Sequence, residues 1–142
     1  IGTVLAKNPG AVGQIAWGAG GAFEASVRSA SDLPGVERVR YFGDLDVAGL
    51  RIPCSAAKTA EREGLPPVAP ALDLYRALLG SGIRQGGQPP LTPEQTEALV
   101  GWLEDARVML DAAGVLRSGI RVPQEALTLT SLTRDRYWVD TL

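Results

Sequence analysis

Val39-Arg40-Tyr41-Phe42-Gly43-Asp44-Leu45-Asp46-Val47-Ala48-Gly49-Leu50-Arg51-Ile52 is the stretch whose reading decides the fold. The apolar run of Val39, Tyr41 and Phe42 suits a strand buried inside a sheet. Gly43 lets the chain bend, and Asp46 is a good N-cap for a helix that follows at once. Asp44 and Asp46 are two residues apart, so in extended geometry their side chains leave one face with Cα atoms about 6–7 Å apart. Open α/β sheets place their sites at the carboxyl ends of parallel strands, where this pair falls. Two converging carboxylates repel unless they share a cation or take up a proton. Hard oxygen donors favour Mg²⁺ or Mn²⁺. The plainer alternative is that the acids only cap the helix and satisfy the turn.

Composition narrows the chemistry around this turn. The 142 residues fit one compact domain, or a core with a small appendage. An apolar share of 45% with 21% charged residues is ordinary for a globular protein and argues against wholesale disorder. No apolar run approaches the roughly 20 residues of a membrane helix, and no signal-peptide core follows the start. The single cysteine, Cys54, cannot form an internal disulfide, so a reducing cytoplasm is the expected compartment. The absence of histidine excludes Ser-His-Asp and Cys-His catalysis and His-ligated zinc within the chain. Carboxylates are therefore the only plausible metal ligands. A net charge of −2 is a poor footprint for a stand-alone nucleic-acid binder. Any DNA bound here would be contacted mainly by parts of the protein outside this chain, and the first residue, Ile1, leads us to expect more protein upstream.

Taken in order, Ile1–Ala6 reads as a first strand, broken by Lys7-Asn8-Pro9-Gly10. Gln14–Trp17 reads as a second, followed by the loop Gly18–Gly21 and a helix in which Phe23 and Val27 share a face. Strands alternating with helices indicate parallel α/β structure. The glycine loop misses the dinucleotide fingerprint, because the third glycine would fall at Phe23. Pro53 predicts a kink near residues 49–53, or a helix beginning at Pro53, that runs to Gly64. Residues 66–69 suit a short last strand and Pro70–Leu79 a helix. Gly80–Pro90 is rich in glycine and proline and reads as a linker. Beyond it Thr92-Pro93-Glu94-Gln95 is a strong helix start, with a capping box and proline at the first helical position. The pattern of Leu99, Trp102, Leu103, Ala106 and Leu110 continues one helix to Gly114, with Trp102 and Met109 as core. The organisation expected is a 1–80 α/β core, an 81–90 linker and a 91–142 C-terminal helical segment packed on the core.

With these residues laid out, the chain resembles a Toprim domain. Specifically, it resembles the JetD C-terminal family, the nuclease subunit of Wadjet plasmid-defence systems, and more distantly the topoisomerase VI A subunit. The resemblance is carried by Tyr41–Ile52, similar to the family's aromatic-Gly-Asp-x-Asp-x-x-Gly-x-x-Ile pattern. Weaker likenesses flank it in the right order: Ala16–Gly21, Leu91–Gln95, and Arg121-Val122-Pro123-Gln124-Glu125. The resemblance implies a Toprim-like, mainly parallel sheet flanked by helices and Mg²⁺- or Mn²⁺-dependent DNA strand cleavage. Asp44 and Asp46 would be metal ligands, with Glu125 as a third catalytic acid. It also implies DNA as partner, with a homodimer or an SMC-type defence complex as the assembly.

The chain departs from the pattern at Lys7, where Toprim sites carry a glutamate, and at Val122-Pro123, where an acid is missing. A protonated lysine cannot coordinate a divalent cation. A catalytically inactive Toprim-like assembly module is therefore the alternative function. A small-molecule enzyme that holds phosphate at the Gly18–Gly21 loop is the third and weakest reading.

Overall fold

A computed structural model describes residues 1–16, 20–30 and 32–142. Among them the chain is mixed α/β and mostly helical. β1 (Val39–Tyr41) pairs in parallel with β2 (Val68–Pro70), with Val39 opposite Val68 and Tyr41 opposite Pro70. A parallel pair needs a long crossover, which α3 (Val47–Glu63) supplies. Its ends follow from the sequence: Asp46 caps the first turn and Gly64, left-handed at φ 65°, closes the last. The alternative of a helix start at Pro53 is corrected by the Asp46 cap, which starts the helix at Val47 and leaves Pro53 inside it. The missing Pro53 amide leaves the Gly49 carbonyl without its usual helical partner.

The expected larger parallel sheet is two strands wide among the described residues. Ile1–Ala6 contributes no strand: α1 (Gly2–Leu5) is a short helix. A short apolar run carries no periodicity to separate helix from strand. Here a helical turn brings Val4 and Leu5 together against Ala71, Leu74, Leu132, Trp138 and Val139. Gln14–Ala16 has no regular structure and stays exposed, so it has no ladder to join. The rest of that expected strand, Trp17, lies outside the described residues, as does part of the Gly18–Gly21 loop. α2 (Phe23–Ala30) follows and buries Val27 against α3.

α4 (Leu72–Gly80) leaves β2 and buries Leu74, Tyr75 and Leu78. The glycine- and proline-rich stretch after it is not free of structure. There β3 (Gln85–Gly86) pairs antiparallel with β4 (Ile120–Arg121). α5 (Pro93–Val100) starts with the anticipated capping box, in which Thr92 and Gln95 each accept from the other's main-chain N–H. The single helix expected from Thr92 to Gly114 is two. A 3-10 turn over Gly101–Leu103 leads to Glu104, left-handed at φ 58°, and Asp105 then caps α6 (Ala106–Arg117). A second cap inside an apolar pattern outranked the pattern, and Leu110 is turned out to solvent. α7 (Leu129–Arg134) closes the chain with a 3-10 turn over Tyr137–Thr141 that buries Trp138. No helix among the described residues is long and apolar enough to cross a membrane.

One core runs through both halves of the chain. Leu45, Leu50, Tyr75 and Leu78 share it with Trp102, Leu103, Leu116 and Val122. At its centre Trp102 stands edge-on to Tyr41 and Tyr75, with ring centroids 6.1 and 6.3 Å away. The second cluster, built on Trp138, meets it through Phe42. The first cluster packs Val39 and Tyr41 of β1, and both clusters pack Phe42, the residue that follows it.

Candidate metal centre at the acid turn

Five residues separate β1 from α3, and four chain segments hold them. Gly43 is needed for closeness: a Cβ there would lie 2.8 Å from the Tyr41 hydroxyl. Leu45 is fully buried, and its main chain exchanges two hydrogen bonds with Val122, N–H to C=O at 2.9 Å and the reverse at 3.1 Å. Because neighbouring side chains in extended backbone alternate, an inward Leu45 sends Asp44 and Asp46 the other way. Val47 N–H donates to Gln88 Oε1 at 3.2 Å, while Gln88 Nε2 donates to the Ile120 carbonyl at 2.6 Å. The turn is thereby tied to the segment after β3 and, through Ile120, to β4.

Each acid is fixed through one oxygen. Asp44 Oδ1 accepts the Gln124 N–H at 2.8 Å, a contact between residues 80 positions apart. Asp46 Oδ1 accepts the Gly49 N–H at 2.7 Å, the helix cap. At Gly49 no side chain fits: a Cβ there would collide with the Asp44 main-chain carbonyl oxygen and sit 3.2 Å from Asp46 Oδ1. Gly49 is thus a steric requirement of the turn, whereas a side chain at Gly43 would displace the Tyr41 ring.

Both Oδ2 atoms remain without a hydrogen bond or ion pair among the described residues. Among the described residues no lysine or arginine answers this pair, although arginines answer acids elsewhere, as Arg28 does Glu63 and Arg76 does Asp105. Two pre-oriented, singly available carboxylate oxygens fit a cation such as Mg²⁺, which binds through one or two carboxylates and keeps several waters. Both carboxylates stand partly open to solvent, so such an ion would keep its water.

Two phenols back the turn. Tyr41 packs against Phe23 at 4.7 Å between ring centroids and is half-buried. Tyr75 is fully buried, its ring edge-on to Phe42 at 5.3 Å. Burial holds both phenol pKa values above the usual tyrosine value, Tyr75 by far the more, and the charges of Asp44 and Asp46 push both further the same way. Both hydroxyls therefore stay protonated donors, and both carboxylates bear on both of them. Sequence reading treated Tyr41 as core and gave Tyr75 no role. A tyrosine on the apolar face of a helix carries no signal beyond burial.

The remaining anticipated residues lie as follows. Gln124, whose N–H holds Asp44, is the neighbour of Glu125, but the Glu125 side chain is exposed and engaged by Gln124 Nε2 at 3.4 Å. Among the described residues no group of three or more Asp, Glu or Cys side chains converges as a metal-binding set. Lys7 follows a helix rather than a strand and is exposed. Gln88 and Gln124, the two anchors of the turn, were not foreseen, since an amide that bonds main chain has no spacing to betray it. Comparison of the chain with protein-family models, with curated proteins and with solved structures finds no match.

Proposed function

We propose that the chain is the Toprim-type, Mg²⁺- or Mn²⁺-dependent DNA strand-cleaving part of its protein. The observation that carries this reading is the state of the acid turn. Two aspartates at the carboxyl end of a parallel strand are each locked by one oxygen, and each keeps the other oxygen uncommitted. A turn built only to cap a helix needs Asp46 alone. Asp44 would be an unneutralised acid with no structural purpose beyond one bond to Gln124. The bound cation would polarise the scissile phosphate and stabilise the leaving oxygen. The chain's own part is to hold the two ligands in register: Gly49 and Gln124 orient them, and buried Leu45 keeps both on one side. With a net charge of −2, most phosphate contacts fall to other parts of the protein.

The test is Mn²⁺ binding by electron paramagnetic resonance together with nicking of supercoiled plasmid by the protein. Asp44→Asn and Asp46→Asn keep the size and much of the hydrogen bonding of the side chains. Each is expected to weaken Mn²⁺ by about 100-fold or more and to abolish nicking, beyond the 10- to 100-fold typical of losing a group that merely supports a ligand. Saturable Mn²⁺ binding that survives both substitutions refutes the reading. Lys7 and the exposed Glu125 favour the second reading, a module of this lineage that assembles without cutting. That reading expects no metal-dependent nicking by the unsubstituted protein.

A further inference from the structure

Tyr75 carries the one buried hydroxyl that the acid turn leaves unexplained. The side chain is 0% exposed, and its oxygen has no hydrogen-bond partner among the described residues. The Gly43 N–H lies beside that oxygen, outside hydrogen-bonding geometry. An N–H can only donate, so even on closer approach it would leave the phenol proton without an acceptor. A buried donor without an acceptor is a cost that a phenylalanine, with the same ring against Phe42 and Trp102, would avoid. The ring of Tyr75 lies against Phe42, the residue before Gly43, and the charges of Asp44 and Asp46 on the segment that follows, like the Tyr41 phenol, are felt at the hydroxyl. Of these, the carboxylates are the strong acceptors.

We infer that Tyr75 is a positioning residue for the acid turn, its hydroxyl donating to an acceptor oxygen of the turn when a divalent cation is held there. The inference rests on the reading of Asp44 and Asp46 as cation ligands. Ligating carboxylates are themselves hydrogen-bonded from behind, and losing such a partner weakens the metal without removing a ligand. Tyr75 enters from α4, behind the turn, whereas Gly49 and Gln124 hold it from within α3 and from the C-terminal segment. It therefore reports on the loaded turn without being part of the frame that builds the empty one. Tyr41, half-buried and closer to solvent, serves as the comparison.

The experiment titrates Mn²⁺ into the unsubstituted protein, Tyr75→Phe and Tyr41→Phe, with electron paramagnetic resonance as the readout and a thermal melt of each metal-free protein as control. The expected result is an approximately 10-fold weaker Mn²⁺ affinity for Tyr75→Phe, a smaller change for Tyr41→Phe, and a Tyr75→Phe melt at or above the unsubstituted one. Equal affinities for the unsubstituted protein and Tyr75→Phe overturn the inference and leave the carboxylate reading standing. No saturable Mn²⁺ binding by the unsubstituted protein overturns both. If Tyr75→Phe melts low, the near-UV difference spectrum of the unsubstituted protein decides: a tyrosine perturbation on adding Mn²⁺ supports the inference and a flat spectrum refutes it.

Discussion

Two helices of this molecule start on an aspartate, and they differ in what becomes of the second oxygen. Asp46 caps α3 through the Gly49 N–H at 2.7 Å, and Asp105 caps α6 through the Val108 N–H at 2.9 Å. At Asp105 the other oxygen goes to Arg76 at 2.7 Å, and Arg76 also binds Asp73. At Asp46 the other oxygen goes to nothing, and a second carboxylate, Asp44, joins it in the same condition. The Asp105 start is answered by an arginine from within the fold, and the Asp46 start has no cation beside it among the described residues. Capping explains both aspartates as local structure, yet only at α6 is the charge also accounted for. The comparison therefore separates the role any Asp plays at a helix start from a role still open at the acid turn.

The contrast breaks hardest at the glycines. Gly49→Ala drives a Cβ into the Asp44 carbonyl, which is main chain and cannot swing away. A loss of about 3 kcal/mol or more is expected, at or beyond the upper end for overpacking, read by urea unfolding. Gly114→Ala, inside α6 with open space around the new methyl, is expected to stabilise by about 0.5–1 kcal/mol in the same assay. An equal response of the two would show that the turn can relax and that its glycine is incidental.

Removal of the caps themselves sharpens the comparison. Asp46→Ala is expected to cost about 1 kcal/mol of stability for the lost cap, offset in part by relief of repulsion from Asp44. Asp105→Ala loses the cap and one of the two carboxylates paired with Arg76 at once, so a thermal melt should place it below Asp46→Ala. If Asp46→Ala is the worse of the two, the acid turn is chiefly structural.

The smallest effect lies in acid. The Val108 amide first, and the Arg76 guanidinium after it, hold the Asp105 carboxyl below the usual aspartate value. Arg28 lowers Glu63 similarly, to about 2 from 4.5. A carboxyl depressed in the folded state contributes stability that is present above its unfolded pKa and lost as pH falls through the folded one. The Glu63 contribution should thus be complete above about pH 4.5 and fade towards pH 2. Glu63→Gln should flatten stability across that window by a small amount, because exposed ion pairs are screened.

The sequence made the acid turn legible because its requirements are local. Gly43, Asp46 and Gly49 act within a few residues of one another, so spacing revealed β1 and the cap, while Pro53 left the start of α3 open between two alternatives. The capping box at Thr92 and Gln95 was readable for the same reason. Other features depend on partners far along the chain. Val4 and Leu5 become a helix because Trp138 waits to cover them, and nothing near Ile1 says so. Likewise Asp44 owes its orientation to Gln124, and Val47 owes its partner to Gln88. Tyr75 was invisible because its distinguishing mark is a missing acceptor, a property of its surroundings.

The bridge between Leu45 and Val122 has a consequence for biosynthesis. On the ribosome, Asp44 leaves the exit tunnel long before Gln124, the residue that sets its carboxylate. A nascent chain halted after Pro90 carries every residue of the acid motif but lacks the strap from Val122 to Gln124 that aims it. The turn can therefore take its working shape only once the strap has been made and has left the tunnel, which keeps a shorter nascent chain from presenting two aligned carboxylates to the cations around it.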